Sequence, residues 1–183
     1  MATSNTKEKP KLTVSPVGRV SFAYVFEKSE MSEKYEVTLI WPDGTDLSAL
    51  EKLVEETADA KWGKGKWPKN FHSPIRDCEE KEDKDGYDNG GRFARFWRTT
   101  RPRVVSRERE DDGTFKEITE ESGEFYSGCW ALVSCNAFAY DKNGNKGVAF
   151  GLQNIQKSKD DEPFAGTRSN PEEDFDDLED ALS

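Results

Sequence analysis

Two alternating runs, CWALVSCNAFAY (129–140) and KGVAFGLQNI (146–155), stand either side of DKNGN (141–145) and decide the fold. Asn-Gly between alternating hydrophobic runs is the strongest short-range hairpin signal, because both central residues of the turn must take positive φ. A two-residue turn on Asn143-Gly144 sets Ala139 against Val148, Ala137 against Phe150 and Cys135 against Leu152. Each pair is small against large, as an interdigitating core layer requires. The other face then carries Trp130, Phe138 and Tyr140 across from Gly147, Ala149 and Gly151, with Ser134, Asn136 and Gln153 among them. Rings set among glycine and polar groups resemble a stacking platform more than a core. A three-residue loop would flip this parity and turn the large residues inward together; we expect the first register.

Upstream, Leu12 to Phe26 reads as a strand or a pair of strands interrupted at Pro16 and Gly18, with Val20, Phe22, Tyr24 and Phe26 alternating. Tyr35 to Trp41 alternates more cleanly and ends at Pro42-Asp43-Gly44. Leu47 to Lys61 is the principal helix, with Leu47, Leu50, Leu53, Val54 and Ala58 at helical spacing. Thr45, Asp46 or Ser48 can cap it, and Gly63 and Gly65 stop it. Arg76 to Gly91 reads as a solvated flexible loop; Asp83, Asp85 and Asp88 miss calcium-loop spacing, since residue 94 is Ala where the closing Glu belongs. Arg92 to Val105 resumes as strand, with Phe93, Arg95 and Trp97 on one side, and Arg107 to Gly123 is a charged connector. At least five strands and one helix, all antiparallel by connection length, predict a mainly β fold, a small closed antiparallel barrel. We expect a flexible start over residues 1–11, one domain over 12–158 and a disordered acidic tail over 159–183.

The net charge of −10 is segregated. From Lys159 to Ser183, ten Asp and Glu oppose Lys159 and Arg168, a net of −8 that leaves −2 for the first 158 residues. Between Arg92 and Arg109 there are seven arginines and one acid, Glu108. Met1 to Lys11 is polar, and no apolar run reaches the roughly 18 residues of a membrane span, so we expect a cytoplasmic protein. Cys78, Cys129 and Cys135 read as buried thiols: six residues of strand separate the last two by about 20 Å, beyond disulfide reach. With His72 as the single histidine, no metal or cofactor is expected. No nucleophile motif or phosphate-binding glycine loop is present, and most carboxylates sit in the tail or in polar loops, so we expect no enzyme.

What remains is arginine and lysine interleaved with aromatics. A single strand offers a π-face at every base and a phosphate at every step, so an unselective binder combines stacking rings with a basic groove. The candidate rings are Trp67, Phe93, Trp97, Trp130, Phe138 and Tyr140, and the candidate phosphate contacts are Lys64, Lys66, Arg92, Arg95, Arg98, Arg101 and Arg103. The bland alternative makes Phe96 and Trp97 core residues and the arginines solubilising. In the tail, Asp174, Phe175, Asp176, Asp177, Leu178 and Asp180 compose a partner-docking peptide that can also compete for its own basic groove. An acidic DNA mimic, or a single-stranded-RNA binder on the same barrel, is the competing reading.

Three groups of residues carry a resemblance. Thr100-Arg101-Pro102-Arg103-Val104-Val105, Phe125-Tyr126-Ser127-Gly128-Cys129-Trp130, and the hairpin with Leu152-Gln153-Asn154-Ile155-Gln156-Lys157 together resemble the single-stranded-DNA-binding proteins of tailed bacteriophages, the family typified by phage Enc34. The resemblance spans about Leu12 to Ser158. It implies an oligonucleotide-binding (OB) fold, non-catalytic binding of single-stranded DNA in phage replication, recombination or repair, and an acidic tail that engages replication proteins such as polymerase, helicase or primase. Several relatives end in an aromatic or Pro-Phe pair, whereas this chain ends Ala181-Leu182-Ser183.

Overall fold

In the computed structural model, which describes residues 12–88 and 90–164, the hairpin takes the first of the two registers. Its strands, β9 (Trp130–Lys142) and β10 (Asn145–Lys159), pair Ala139 with Val148, Ala137 with Phe150 and Cys135 with Leu152. Asn143 and Gly144 both take positive φ (51° and 79°), as the two-residue turn demands. Beyond Leu152 the register shifts twice, so Trp130 faces Lys159.

In chain order the remaining elements are β1 (Thr13–Val14), β2 (Gly18–Tyr24), β3 (Tyr35–Trp41), the helix α1 (Ser48–Trp62), β4 (Phe71–His72), β5 (Ile75–Asp77), β6 (Arg92–Arg98), β7 (Arg103–Arg109) and β8 (Phe115–Glu117). Five strands close a ring in the order β2, β3, β6, β10, β9 and back to β2. The pairings are antiparallel at every seam except β6 with β10, where Phe96 lies beside Phe150 and Trp97 beside Gly151 in parallel. The all-antiparallel expectation is therefore corrected, and the reason is parity. Strand directions alternate across antiparallel seams, so a ring with an odd number of members must contain a parallel one. This is the five-stranded barrel of the OB fold. β10 also runs parallel to β4 and β7, while β1, β5 and β8 add antiparallel to β9, β6 and β7.

The barrel is filled by one face of each ring strand: Val20, Val37, Leu39, Trp41, Phe96, Val133, Phe150 and Leu152 are all fully buried. Phe96 and Phe150 stack with centroids 5.1 Å apart across the parallel seam. Leu50, Val54 and Ala58 of α1 join this core. The helix begins one residue later than expected: Leu47 is its N-cap, and Asp46 accepts the Ser48 backbone N–H at 2.9 Å.

Three other expectations are corrected. Arg92 to Val105 is two strands, because Thr99 to Pro102 is a turn and Pro102 has no N–H to give a ladder. The charged connector that follows contains the β7–β8 hairpin. The 76–91 segment is pinned, because Cys78 and Tyr87 bury themselves with Ile40 and Phe93 in a second cluster outside the barrel. All three cysteines are buried free thiols. Burial pushes the Cys78 thiol up to about 11 and the Cys135 thiol up to about 12.

The folded unit also extends past residue 158. After β10, Asp160 to Phe164 lies on the barrel: the Phe164 N–H donates to the Ser127 carbonyl at 3.1 Å, and its ring packs on the second cluster. The Phe164 anchor and polar contacts from Asp160, Asp161 and Glu162 hold five residues that composition alone assigns to the tail.

Candidate nucleic-acid interface

Alternation in β3 and β6 sends Val37, Leu39 and Phe96 into the barrel, and Glu36, Thr38, Arg95 and Trp97 to the outside. That outer face floors an open groove of about 870 Å³. One wall is the β4–β5 segment with Phe71, His72 and Arg76, and the other is the hairpin with Phe138, Tyr140 and Lys142. Strands two and three of an OB barrel, flanked by the loops at their ends, are the face such barrels use for oligonucleotides and oligosaccharides. Here those strands are β3 and β6.

The rings come together because β10 is small where it passes between β6 and β9. Trp97 and Phe138 meet edge to face, centroids 5.1 Å apart at 87°, over the Ala149–Gly151 stretch. A side chain at Gly151 would run into the Asn136 amide oxygen, and one at Gly147 into the His72 carbonyl and, at 2.7 Å, the Tyr140 hydroxyl. Glycine is thus required by close approach at both places.

Cations frame these rings. The Lys34 ammonium sits 3.8 Å from the Trp97 ring centre. Lys81 lies among Phe93 (5.0 Å), Phe22 (5.2 Å) and Tyr87 (5.7 Å). Burial lowers the Lys81 pKa below its ordinary 10.5, and Arg76 and Lys84 push the same way. Arg95 pairs with Glu36 and Arg76 with Glu80, while Lys34, Lys81 and Lys142 form no ion pair among the described residues. Asp77 and Glu80 also line the groove, so its charge is mixed.

Among the residues singled out from sequence, Arg95, Trp97, Phe138 and Tyr140 converge here. Phe93 reaches the groove floor but is only 2% exposed and belongs to the second cluster, so its face is not open to a base. The arginine segment scatters, because alternation and the turn send its members in different directions. Arg92 pairs with Glu51 of α1 at 2.5 Å, Arg98 donates to the Gln153 carbonyl, Arg101 lies over Phe26, and Arg103 pairs with Glu117. Trp67 gives its indole N–H to Asp59 at 2.8 Å and packs on Phe71, while Lys64 and Lys66 are exposed on the turn after α1.

Trp130 is occupied by its own chain. Its indole N–H donates to Asp161 at 2.7 Å, Lys159 lies over its ring, and Asp160 accepts the Tyr126 hydroxyl and the Lys157 ammonium. Arg19 completes this strap, donating to the Gly128 and Glu162 carbonyls beneath the Phe164 ring. The tail residues Asp174, Phe175, Asp176, Asp177, Leu178 and Asp180 lie outside the described residues. Sequence reasoning missed Lys34, Phe71, Arg76, Lys81 and Lys142, which reach the groove from four separate segments; Lys142 sat beside the hairpin turn, and Arg76 and Lys81 in the segment read as a solvated loop.

The arrangement suits a flexible polyanion with flat apolar faces. Half-buried rings and basic groups line an open groove, and no group of three or more His, Cys, Asp or Glu among the described residues is placed to hold a metal ion. A family model described as the ssDNA-binding protein of Enterobacter phage Enc34 matches residues 11–182. The chain is 29% identical over 172 residues to the putative protein p50 of Acyrthosiphon pisum secondary endosymbiont phage 1, covering 87% of this chain and 90% of that one. The solved single-stranded-DNA-binding protein of bacteriophage Enc34 superposes in its C-terminal truncation with TM-score 0.66 and 24% identity, over 82% of this chain and 87% of that one. The same protein in complex with ssDNA gives 0.65 and 23%, over 83% and 88%.

Proposed function

The chain belongs to the single-stranded-DNA-binding family of Enterobacter phage Enc34, and from that premise we propose that it binds single-stranded DNA, without catalysis, in the β3–β6 groove. The observation that carries the reading is the Trp97–Phe138 pair, held open on the outer OB face with Lys34 against Trp97. Bases stack on the rings, and phosphates meet Lys34, Lys81, Arg95 and Lys142. Arg95 exchanges Glu36 for a phosphate, or holds both.

The protein acts on strands exposed during phage DNA replication, recombination and repair, in the bacterial cytoplasm. Its acidic tail recruits replication proteins through Phe175 and Leu178, and competes with DNA for the groove while no strand is bound. Two features support this division of labour: the charge segregation along the chain and the apolar residues spaced within the acid.

Titration of labelled single-stranded DNA, duplex DNA and RNA at about 50 and 200 mM salt tests the reading. Salt-sensitive preference for single-stranded DNA is expected. Equal or tighter binding of RNA assigns the groove to RNA. Failure to bind any of the three overturns strand binding and returns the acidic-mimic reading.

A further inference from the structure

We propose that the strand-binding surface continues out of the groove onto β2, where Phe22 and Tyr24 form a second stacking site linked to the first by Lys81. This rests on the strand-binding reading above and extends it to residues of a third strand.

Strand register places the new site. Tyr24 stands opposite Glu36 on β3, and Glu36 stands opposite Trp97 on β6. Directly opposed residues share a face, so Tyr24, Glu36 and Trp97 form one row across the outside of the barrel. With strands about 4.8 Å apart, Tyr24 lies about 10 Å from Trp97 along that row. On the far side of Trp97 the row continues into Phe138.

Backbone geometry is the second observation. The β2–β3 ladder is broken by a bulge between Ser21 and Tyr24, and Phe22 sits there with φ 48°, in the left-handed region. A bulky residue in that region is strained, and such strain persists where the surroundings impose it, commonly at functional sites. Asn143, also at positive φ, has a tight turn to account for it; Phe22 lies within a strand. Bulges re-aim side chains. Here Val20 and Val25 on either side are fully buried, while Phe22 and Tyr24 are 38% and 41% exposed.

Charge supplies the third. The Lys81 ammonium is within cation–π distance of Phe22 on β2 and of Phe93 on the groove floor, and Lys81 itself lines the groove. Lys81 thus both lines the groove and reaches Phe22, so a phosphate held there lies where the groove meets the β2 site, as the alternation of phosphate and base along a single strand requires.

The test compares oligothymidylates of about four and about sixteen nucleotides, the limits of the usual site size of one OB fold. Trp97→Ala should weaken binding of both. Phe22→Ala and Tyr24→Ala should leave the short oligomer unchanged and weaken the long one about fivefold or more, while Tyr24→Phe keeps wild-type affinity. As a readout independent of variant folding, long oligomers carrying 5-iodouracil are photo-crosslinked to the wild-type protein, and adducts are expected on peptides holding Phe22 or Tyr24. Wild-type affinity of folded Phe22→Ala and Tyr24→Ala for the long oligomer, or adducts confined to groove residues, would overturn the extension and leave the groove reading standing. Loss of binding by no variant, Trp97→Ala included, would overturn both.

Discussion

Replacing Trp97 by Ala separates ligand binding from folding, because the ring's contacts are few and specific. In the folded protein Trp97 meets Phe138 edge to face and carries Lys34 over its face. An aromatic pair of this kind contributes about 0.5–1.5 kcal/mol and an exposed cation–π contact about 0.5–1 kcal/mol. The variant thus loses about 1–2.5 kcal/mol in addition to the apolar area of a half-buried ring, a cost below a stability of about 5–15 kcal/mol, and stays folded. Against a base the same ring contributes about 1–3 kcal/mol, a roughly 5- to 150-fold change in affinity. Trp130→Ala is the built-in comparison. Its ring is held by Asp161 and Lys159 away from the groove, so affinity should stay within about twofold of wild type. Fluorescence anisotropy with a labelled oligothymidylate, run beside thermal melts of all three proteins, reads both quantities. A folded Trp97→Ala protein with wild-type affinity would refute the stacking role. An equal loss in Trp130→Ala would refute the placement of the interface.

Salt dependence should follow the groove cations. With Lys34, Lys81, Arg95 and Lys142 each neutralising a phosphate, the slope of log affinity against log salt is about −3, and Lys34→Ala should flatten it by about 0.7 whereas Arg103→Ala should not. Alkaline pH should weaken binding below the ordinary lysine range: a phosphate favours protonated Lys81, whose pKa is lowered in the free protein, so affinity falls as pH rises through that lowered value. Lys81→Arg should remove the decline in affinity measured from neutral to alkaline pH. Deleting residues 171–183 should leave the melting temperature unchanged and tighten strand binding most at low salt, since Debye screening limits tail competition; unchanged or weaker affinity would dismiss it. Deleting residues 160–183 also removes the strap, and calorimetry should then show a melting temperature lower by several degrees. A thiol-reactive dye should label none of the three cysteines in native protein near neutral pH and all three in denaturant.

The hairpin was legible because its register depends on four neighbouring residues, and the Asn-Gly turn settles which side each later residue faces. The same rule, carried along β6, correctly parts Trp97 from Phe96. It fails where an added residue resets it, as at the β2 bulge, where Phe22 and Val25 exchange the sides that alternation assigns. The basic segment disperses in space for a related reason. Seven arginines adjacent in sequence are not adjacent in space once a strand splits them between two faces and a turn redirects the rest. Lys81 and Tyr87 were hidden by company, a charged stretch whose two apolar members, Cys78 and Tyr87, find partners only in strands far away in sequence. The parallel seam joins residues more than fifty positions apart, and no local pattern encodes it.

That seam has a consequence for how the protein comes into being. β10 is the last strand among the described residues, yet it borders β4, β6, β7 and β9. Until it emerges from the ribosome, β6 lacks one neighbour and β9 another, Phe96 has no Phe150 to stack on, and the groove has no second wall. Closure must wait for long-range contacts, which places the protein among slow folders of high contact order. Synthesis therefore imposes an order of events in which a nascent chain has no formed groove to engage nucleic acid, and ligand competence arrives together with the completed barrel.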